Sequence, residues 1–163
     1  PENPRIGKAI QVLCAKTGLD GMIGGQSVDV EFVDQALTQE QLYFIYTLKT
    51  GALIEASMMI GAILAGASDE EVEKVQMAAR NIGMAFQIQD DILDVTGEQE
   101  VLGKPVNSDE KNNKTTYVTV NGLKKAQEDV AHYSKEAAKL LDELPYENEF
   151  LRELIMNLIH RRA

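Results

Sequence analysis

Apolar positions recur along this chain with helical spacing almost from end to end. Ile6, Ile10, Leu13 and Cys14 fall three and four apart, the signature of one helical face. Gly18 and Gly21 interrupt that pattern, and the run Gly21-Met22-Ile23-Gly24-Gly25-Gln26 follows. It reads as a loop, because several glycines are costly in a helix. It also reads as a helix packed closely around a ligand, where a missing side chain is an advantage. Thr38 with Gln41 three residues on forms a capping box. The helix it opens runs through Tyr43, Phe44, Tyr46 and Leu48 to Lys49-Thr50-Gly51, then through Leu53, Ile54 and Met58 towards Gly66. Ser68 and Glu71 form a second box, opening a long helix that ends near Thr96-Gly97. Gly103-Lys104-Pro105 and the stretch from Asn107 to Lys114 read as loop. A further helix is predicted from about Asn121 to Leu144, broken at Pro145, and a last amphipathic one from about Glu147 to Arg161. Strand alternation shows only weakly, at Tyr117 to Val120. The expected fold is all-α, one helical domain over residues 1–163 with no internal repeat or linker.

Within the long helix, Phe86-Gln87-Ile88-Gln89-Asp90-Asp91-Ile92-Leu93-Asp94 places three carboxylates among apolar neighbours. Asp90 and Asp94 are four apart, Asp91 and Asp94 three apart, and Gln87 lies one turn earlier. All three acids are thus expected to converge on one point. Like charges so close are costly, and burying them without a partner is worse. A charge run is usually a solvated helix face. Here Gly83, Met84, Ala85, Phe86, Ile88, Ile92, Leu93 and Val95 flank the acids on several sides, and a helix apolar nearly all round is a buried one. A hard divalent cation removes the penalty, and Mg²⁺ is held by carboxylates together with substrate phosphates. The acids therefore point to a magnesium-bridged diphosphate site.

Composition narrows the choices. The net charge of −10 argues against nucleic acid as a partner, which requires a basic surface. It leaves room for a small anionic substrate met by a few placed lysines. Cys14 is the single cysteine, so no intrachain disulfide forms, which fits a reducing cytoplasm. The mainly apolar run Gly51 to Ala67 is interrupted by Glu55 and is short for a membrane span, so stable membrane insertion is not expected. Neither a Ser-His-Asp set nor an activated cysteine is evident. His132 and His160 read as surface residues.

Lys49 lies inside an apolar stretch, where a lysine either snorkels to water or meets an anion. Lys104 and Lys114 follow the acid helix in the glycine- and asparagine-rich loop; such lysines are usually surface charge. Together with the acids they compose metals on one side of a phosphate and ammonium groups on the other, a clamp suited to a leaving group that gains negative charge. Met22, Met58, Met59 and Met84 could line an apolar pocket, although methionine more often fills cores.

GMIGGQSVD, KTGAL, GMAFQIQDDILDVTG and LGK together resemble the C-terminal half of the trans-isoprenyl diphosphate synthases (polyprenyl synthetases), most of all the bacterial farnesyl diphosphate synthase, or geranyltranstransferase, type. The resemblance spans essentially the whole chain. It implies the C-terminal part of an isoprenoid-synthase helical bundle. It also implies that Asp90, Asp91 and Asp94 bind Mg²⁺ bridged to an allylic diphosphate, and that Lys49, Lys104 and Lys114 contact that diphosphate. Thr50 and Gln87 would lie beside the allylic substrate and Phe86 beside isopentenyl diphosphate. Gln26 and Asp29 would line the reacting end and support Lys49. The implied reaction is condensation of dimethylallyl or geranyl diphosphate with isopentenyl diphosphate through Mg²⁺-assisted ionisation, in a cytoplasmic homodimer.

The chain departs from the family in lacking a first aspartate-rich motif and the basic residues that precede it. The expectation is an incomplete bundle, inactive alone, whose apolar faces around Tyr43, Phe44, Ile60 and Ile63 seek a partner. Two alternatives are a non-catalytic helical subunit of a heteromeric prenyltransferase and a class I terpene cyclase.

Overall fold

The computed structural model describes residues 3–96 and 114–159. Helix α1 (Pro4–Thr17) starts where the Asn3 side chain accepts the Arg5 N–H, with proline in its first turn. Helix α2 spans Met22–Glu31. Helix α3 (Gln39–Ile45) begins at Thr38, whose capping box with Gln41 is complete in both directions. The chain continues without a break through a π-helical turn, Tyr46–Gly51, into α4, Ala52–Ala65. Gly66, at φ 96°, ends α4 in the left-handed region. The Ser68–Glu71 box then opens α5, Asp69–Thr96. Short α6 (Tyr117–Asn121), long α7 (Leu123–Asp142) and α8 (Glu149–Ile159) complete the described chain.

Helix α5 is the axis of the assembly. It packs along α7 on one side and along α4 and the π-turn on another, while α1 lies on α4 and α2 on the π-turn. The main core joins Leu42, Ile45 and Tyr46 to Ile82, Ala85, Ile88 and Ile92 of α5, and to Ala126, Val130 and Ala137 of α7. A smaller core gathers Ala9, Met59, Ile63 and Val72 under α1.

The helical reading holds, and among the described residues there is no strand. Two expectations change, and one open choice is settled. Tyr117–Val120 is helix: Thr116 and Thr119 cap it at one end and Gly122, at φ 82°, stops it at the other. The glycine run at residues 21–26 enters a helix rather than a loop. The expected pairing of Ile63 with an open apolar face is wrong too, because α1 covers it and leaves it 3% exposed. The apolar side chains that do stand open include Ile6, Ile10 and Leu13 of α1, Ile23 and Val30 of α2, and Phe44. The continuous helical stretch Gln39–Ala65 also has the length and apolar composition of a membrane span, which the shorter window around Glu55 had hidden. In this fold it packs against α1, α2 and α5, and Glu55 is one of its most deeply buried residues.

Glu55 shows how these helices are tied. Its carboxylate accepts from Lys16 of α1 and, at 3.0 Å each, from Gln76 and Arg80 of α5. Burial pushes this carboxyl up, but the hydrogen bonds outweigh burial and hold it below the ordinary glutamate value.

Candidate functional site

The π-turn lies antiparallel against α5, and three cross-contacts fix its register. Tyr46 meets Asp91, Thr50 Oγ1 donates to Gln87 Oε1 at 3.1 Å, and Gly51 lies on Gly83. A Cβ on Gly83 would stand 2.9 Å from the Gly51 Cα, so the two backbones touch because neither residue has a side chain. On its other side the π-turn meets α2. Here Gly25 is required: a Cβ there would lie 2.4 Å from the Lys49 backbone nitrogen and 2.8 Å from the Leu48 Cβ. Of the two sequence readings, the closely packed helix is thus the one observed, with the π-turn backbone as its close neighbour. Gly25→Ala is expected to push α2 off the π-turn and cost about 1–3 kcal/mol by overpacking. Urea denaturation measures this, and an unchanged midpoint would contradict the contact.

Wide turns of this kind interrupt the regular hydrogen-bond ladder and are frequent at functional positions. This one carries Lys49. Its ammonium pairs with Asp29 Oδ2 of α2 at 2.6 Å, with both side chains partly buried. One of the three ammonium donors is thereby fixed in direction. Gln26, one turn before Asp29, lines a shallow apolar groove along α2 with Met22, Ile23, Ser27, Val30 and Glu31. Two sequence motifs far apart in the chain thus meet at one ion pair, and the neighbour of Lys49 is bonded to the acid helix one turn before Asp90.

The acids themselves divide. Asp94 and Asp91 are buried and Asp90 is half-buried. Among the described residues, no group of three His, Cys, Asp or Glu side chains stands placed to hold a metal ion. Asp91 Oδ2 accepts from the Tyr46 hydroxyl and, at 2.6 Å, from the Tyr117 backbone N–H. Asp90 and Asp94 lie four apart on α5, with Gln87 three residues before Asp90. Phe86 and Gln87 are half-buried, and Lys114 is exposed where the chain enters α6. Thr115 beside it accepts the Leu37 N–H at 3.0 Å. Lys104 lies outside the described residues. Met59 and Met84 belong to the buried cores, whereas Met22 and Met58 are half-buried. His132 is exposed, and His160 lies outside the described residues.

Sequence reasoning missed a tyrosine network behind the acids. Tyr117 donates its hydroxyl to Asp129 Oδ2 at 2.6 Å and meets the Tyr43 hydroxyl at 3.1 Å, their rings edge to face. Burial, then the bonds to Asp129 and Tyr43, drives the Tyr117 hydroxyl far above the ordinary tyrosine value. Burial and the Tyr43 hydroxyl push Tyr133 up to about 12. Burial raises Asp129, but hydrogen bonds from Lys125 and Tyr117 prevail and hold it below the usual carboxylate value. These tyrosines are therefore neutral donors at physiological pH, suited to holding structure rather than moving protons. Their sequence signal was faint, since tyrosines at helical spacing read as core.

The sequence matches the polyprenyl synthetase family over residues 7–150, and the chain belongs to that family. It is 43% identical over 139 residues to a chloroplastic geranylgeranyl pyrophosphate synthase of Capsicum annuum, covering 85% of this chain and 38% of that one. It is 37% identical over 147 residues to the farnesyl diphosphate synthase of Bacillus subtilis, covering 90% of this chain and 50% of that one. Among solved structures, a geranyltransferase of Helicobacter pylori, complexed with magnesium and isoprenyl diphosphate, superposes with a TM-score of 0.78 at 34% identity, over 98% of this chain and 52% of that one. The chain thus spans half or less of the length of these curated relatives.

Proposed function

We propose that this chain forms the diphosphate-handling side of a short-chain trans-prenyltransferase, of farnesyl or geranylgeranyl diphosphate synthase type. Its substrates are an allylic diphosphate (dimethylallyl or geranyl) and isopentenyl diphosphate. The observation that carries this reading is the Lys49–Asp29 pair, held on a π-turn that Thr50 bonds to Gln87 of the acid helix. Asp29 orients the ammonium and Lys49 holds the diphosphate. Buried Ile88, Ile92 and Leu93 keep water from the surroundings. Lys114 stands at the entry to α6 as a second cation.

The donor set suits Mg²⁺. Asp90 and Asp94 offer only oxygen, the donor type of a cation that takes one or two protein carboxylates and completes its shell with phosphate and water. When bound, Mg²⁺ supplies charge neutralisation to a departing diphosphate. The family relationship and the magnesium-bound neighbour support this reading, and the single cysteine accords with a reducing cytoplasm.

The test is substrate omission, with labelled isopentenyl diphosphate, an allylic diphosphate and Mg²⁺ supplied to the protein bearing this chain. Labelled, chain-extended product is expected only when all three are present. Product from the allylic diphosphate alone would favour a cyclase, and no product from the complete mixture would overturn the proposal.

A further inference from the structure

Asp91 is buried and is held by groups from two other elements. Its Oδ2 accepts from the Tyr46 hydroxyl and from the Tyr117 N–H, and the same N–H lies 3.3 Å from the Tyr46 oxygen. Three elements meet at one buried oxygen. Tyr46 opens the π-turn whose fourth residue is Lys49. Tyr117 opens α6, three residues after Lys114. The opposite side of Tyr117 is fixed as well, through its hydroxyl on Asp129. We propose that Asp91 is a positioning residue rather than a metal ligand: it ties both lysine-bearing segments to the acid helix and so sets where the two ammonium groups stand for a diphosphate. The inference rests on the proposed function for the identity of the anion, and on geometry for the role of Asp91.

Charge and position predict opposite signs here. Removing a carboxylate near an anion site should strengthen anion binding by relieving repulsion. Losing the acceptor should weaken it by releasing Tyr46 and Tyr117. Asp91→Asn and Asp91→Ala remove the same charge, but only asparagine keeps an oxygen that both donors can reach. The difference between the two variants therefore isolates positioning.

The experiment is calorimetric titration with inorganic diphosphate, without and with Mg²⁺, on the protein and on Asp91→Asn, Asp91→Ala and Asp90→Asn. Without metal, Asp91→Ala is expected to bind about fivefold more weakly than Asp91→Asn, the order of one lost hydrogen bond. With metal, Asp90→Asn is expected to lose about tenfold or more of the Mg²⁺-dependent gain in affinity, and Asp91→Asn to keep it. Equal metal-free affinities for the two Asp91 variants, or an Asp91→Asn loss of the Mg²⁺ gain as large as that of Asp90→Asn, would overturn the inference. Because Asp91→Ala can unfold, Tyr46→Phe serves as a second probe that leaves every acid in place. In thermal unfolding, Tyr46→Phe combined with Asp91→Asn should lose less than the two single losses added together. Strict additivity counts against the tie. If neither Asp90 nor Asp91 variants alter diphosphate binding, the proposed function fails, and a non-additive unfolding cycle still supports the placement of Asp91.

Discussion

Lys49→Ala should lower kcat/KM for the allylic diphosphate by about 10²–10³, the range found when one preorganised donor to a developing anion is removed. The fall should be carried mainly by kcat, because a leaving diphosphate gains charge as its bond breaks, and the ammonium then meets it more strongly than in the ground state. Stability should change little, by about 1 kcal/mol, since the Lys49–Asp29 pair is only partly buried and water replaces part of the lost interaction. Steady-state kinetics beside a thermal melt separate the two effects. Asp29→Asn supplies the control: it leaves the cation and removes its counter-charge, so its loss should be clearly smaller. A Lys49→Ala protein that turns over within about threefold of the parent would remove Lys49 from the chemistry.

Glu55→Ala should have the largest effect on folding, a loss of about 3–5 kcal/mol, as when one partner of a buried ion cluster is deleted. The carboxylate is 1% exposed and draws α1 and α5 onto α4 through Lys16, Gln76 and Arg80. Arg80 lies far enough out to regain water, whereas Lys16 is half-buried, so more of the damage should fall on the α1 contact. Its pH dependence has a definite sign. The folded-state value lies below the ordinary 4.5, so the unfolded chain binds the extra proton first as acid is added. The stabilisation is therefore complete above pH 4.5 and is lost as pH falls through the folded value. Urea melts of the parent and of Glu55→Gln should differ most near neutrality and approach each other in acid. A gap that widens in acid would refute the assignment.

Much of this molecule could be read from spacing alone. The boxes at Thr38 and Ser68 mark helix starts because both groups of each reciprocal pair lie three residues apart in sequence. Lys49, Asp29, Thr50 and Gln87 were legible through the resemblance their motifs carry, and the fold brings them together in two pairs. Local spacing could not reveal where an acid's oxygen would go. Asp90, Asp91 and Asp94 have equivalent backbones on an isolated helix, and spacing cannot show that Tyr46 and Tyr117 arrive at Asp91 from elsewhere in the chain. Glu55 was noticed merely as a break in an apolar run, because its partners lie 39, 21 and 25 residues away. The π-turn was invisible for a related reason: its sequence continues a good helix, and the backbones that lie close against it, at Gly25 and Gly83, come from elsewhere in the chain.

That widening also resets the rotation of everything after it. An unbroken α-helix through Gln39–Ala65 would keep one face in phase from end to end. With the wider turn in the middle, Leu42 and Ile45 feed the core against α5 and α7, while Met59 and Ile63 feed the separate core beneath α1. One rod thus serves two hydrophobic interiors, and Ile54 and Met58, beyond the wide turn, still pack on the first of them. The main core therefore grips the rod both before and after the segment that carries Lys49, so the backbone beneath that ammonium is anchored at each of its ends.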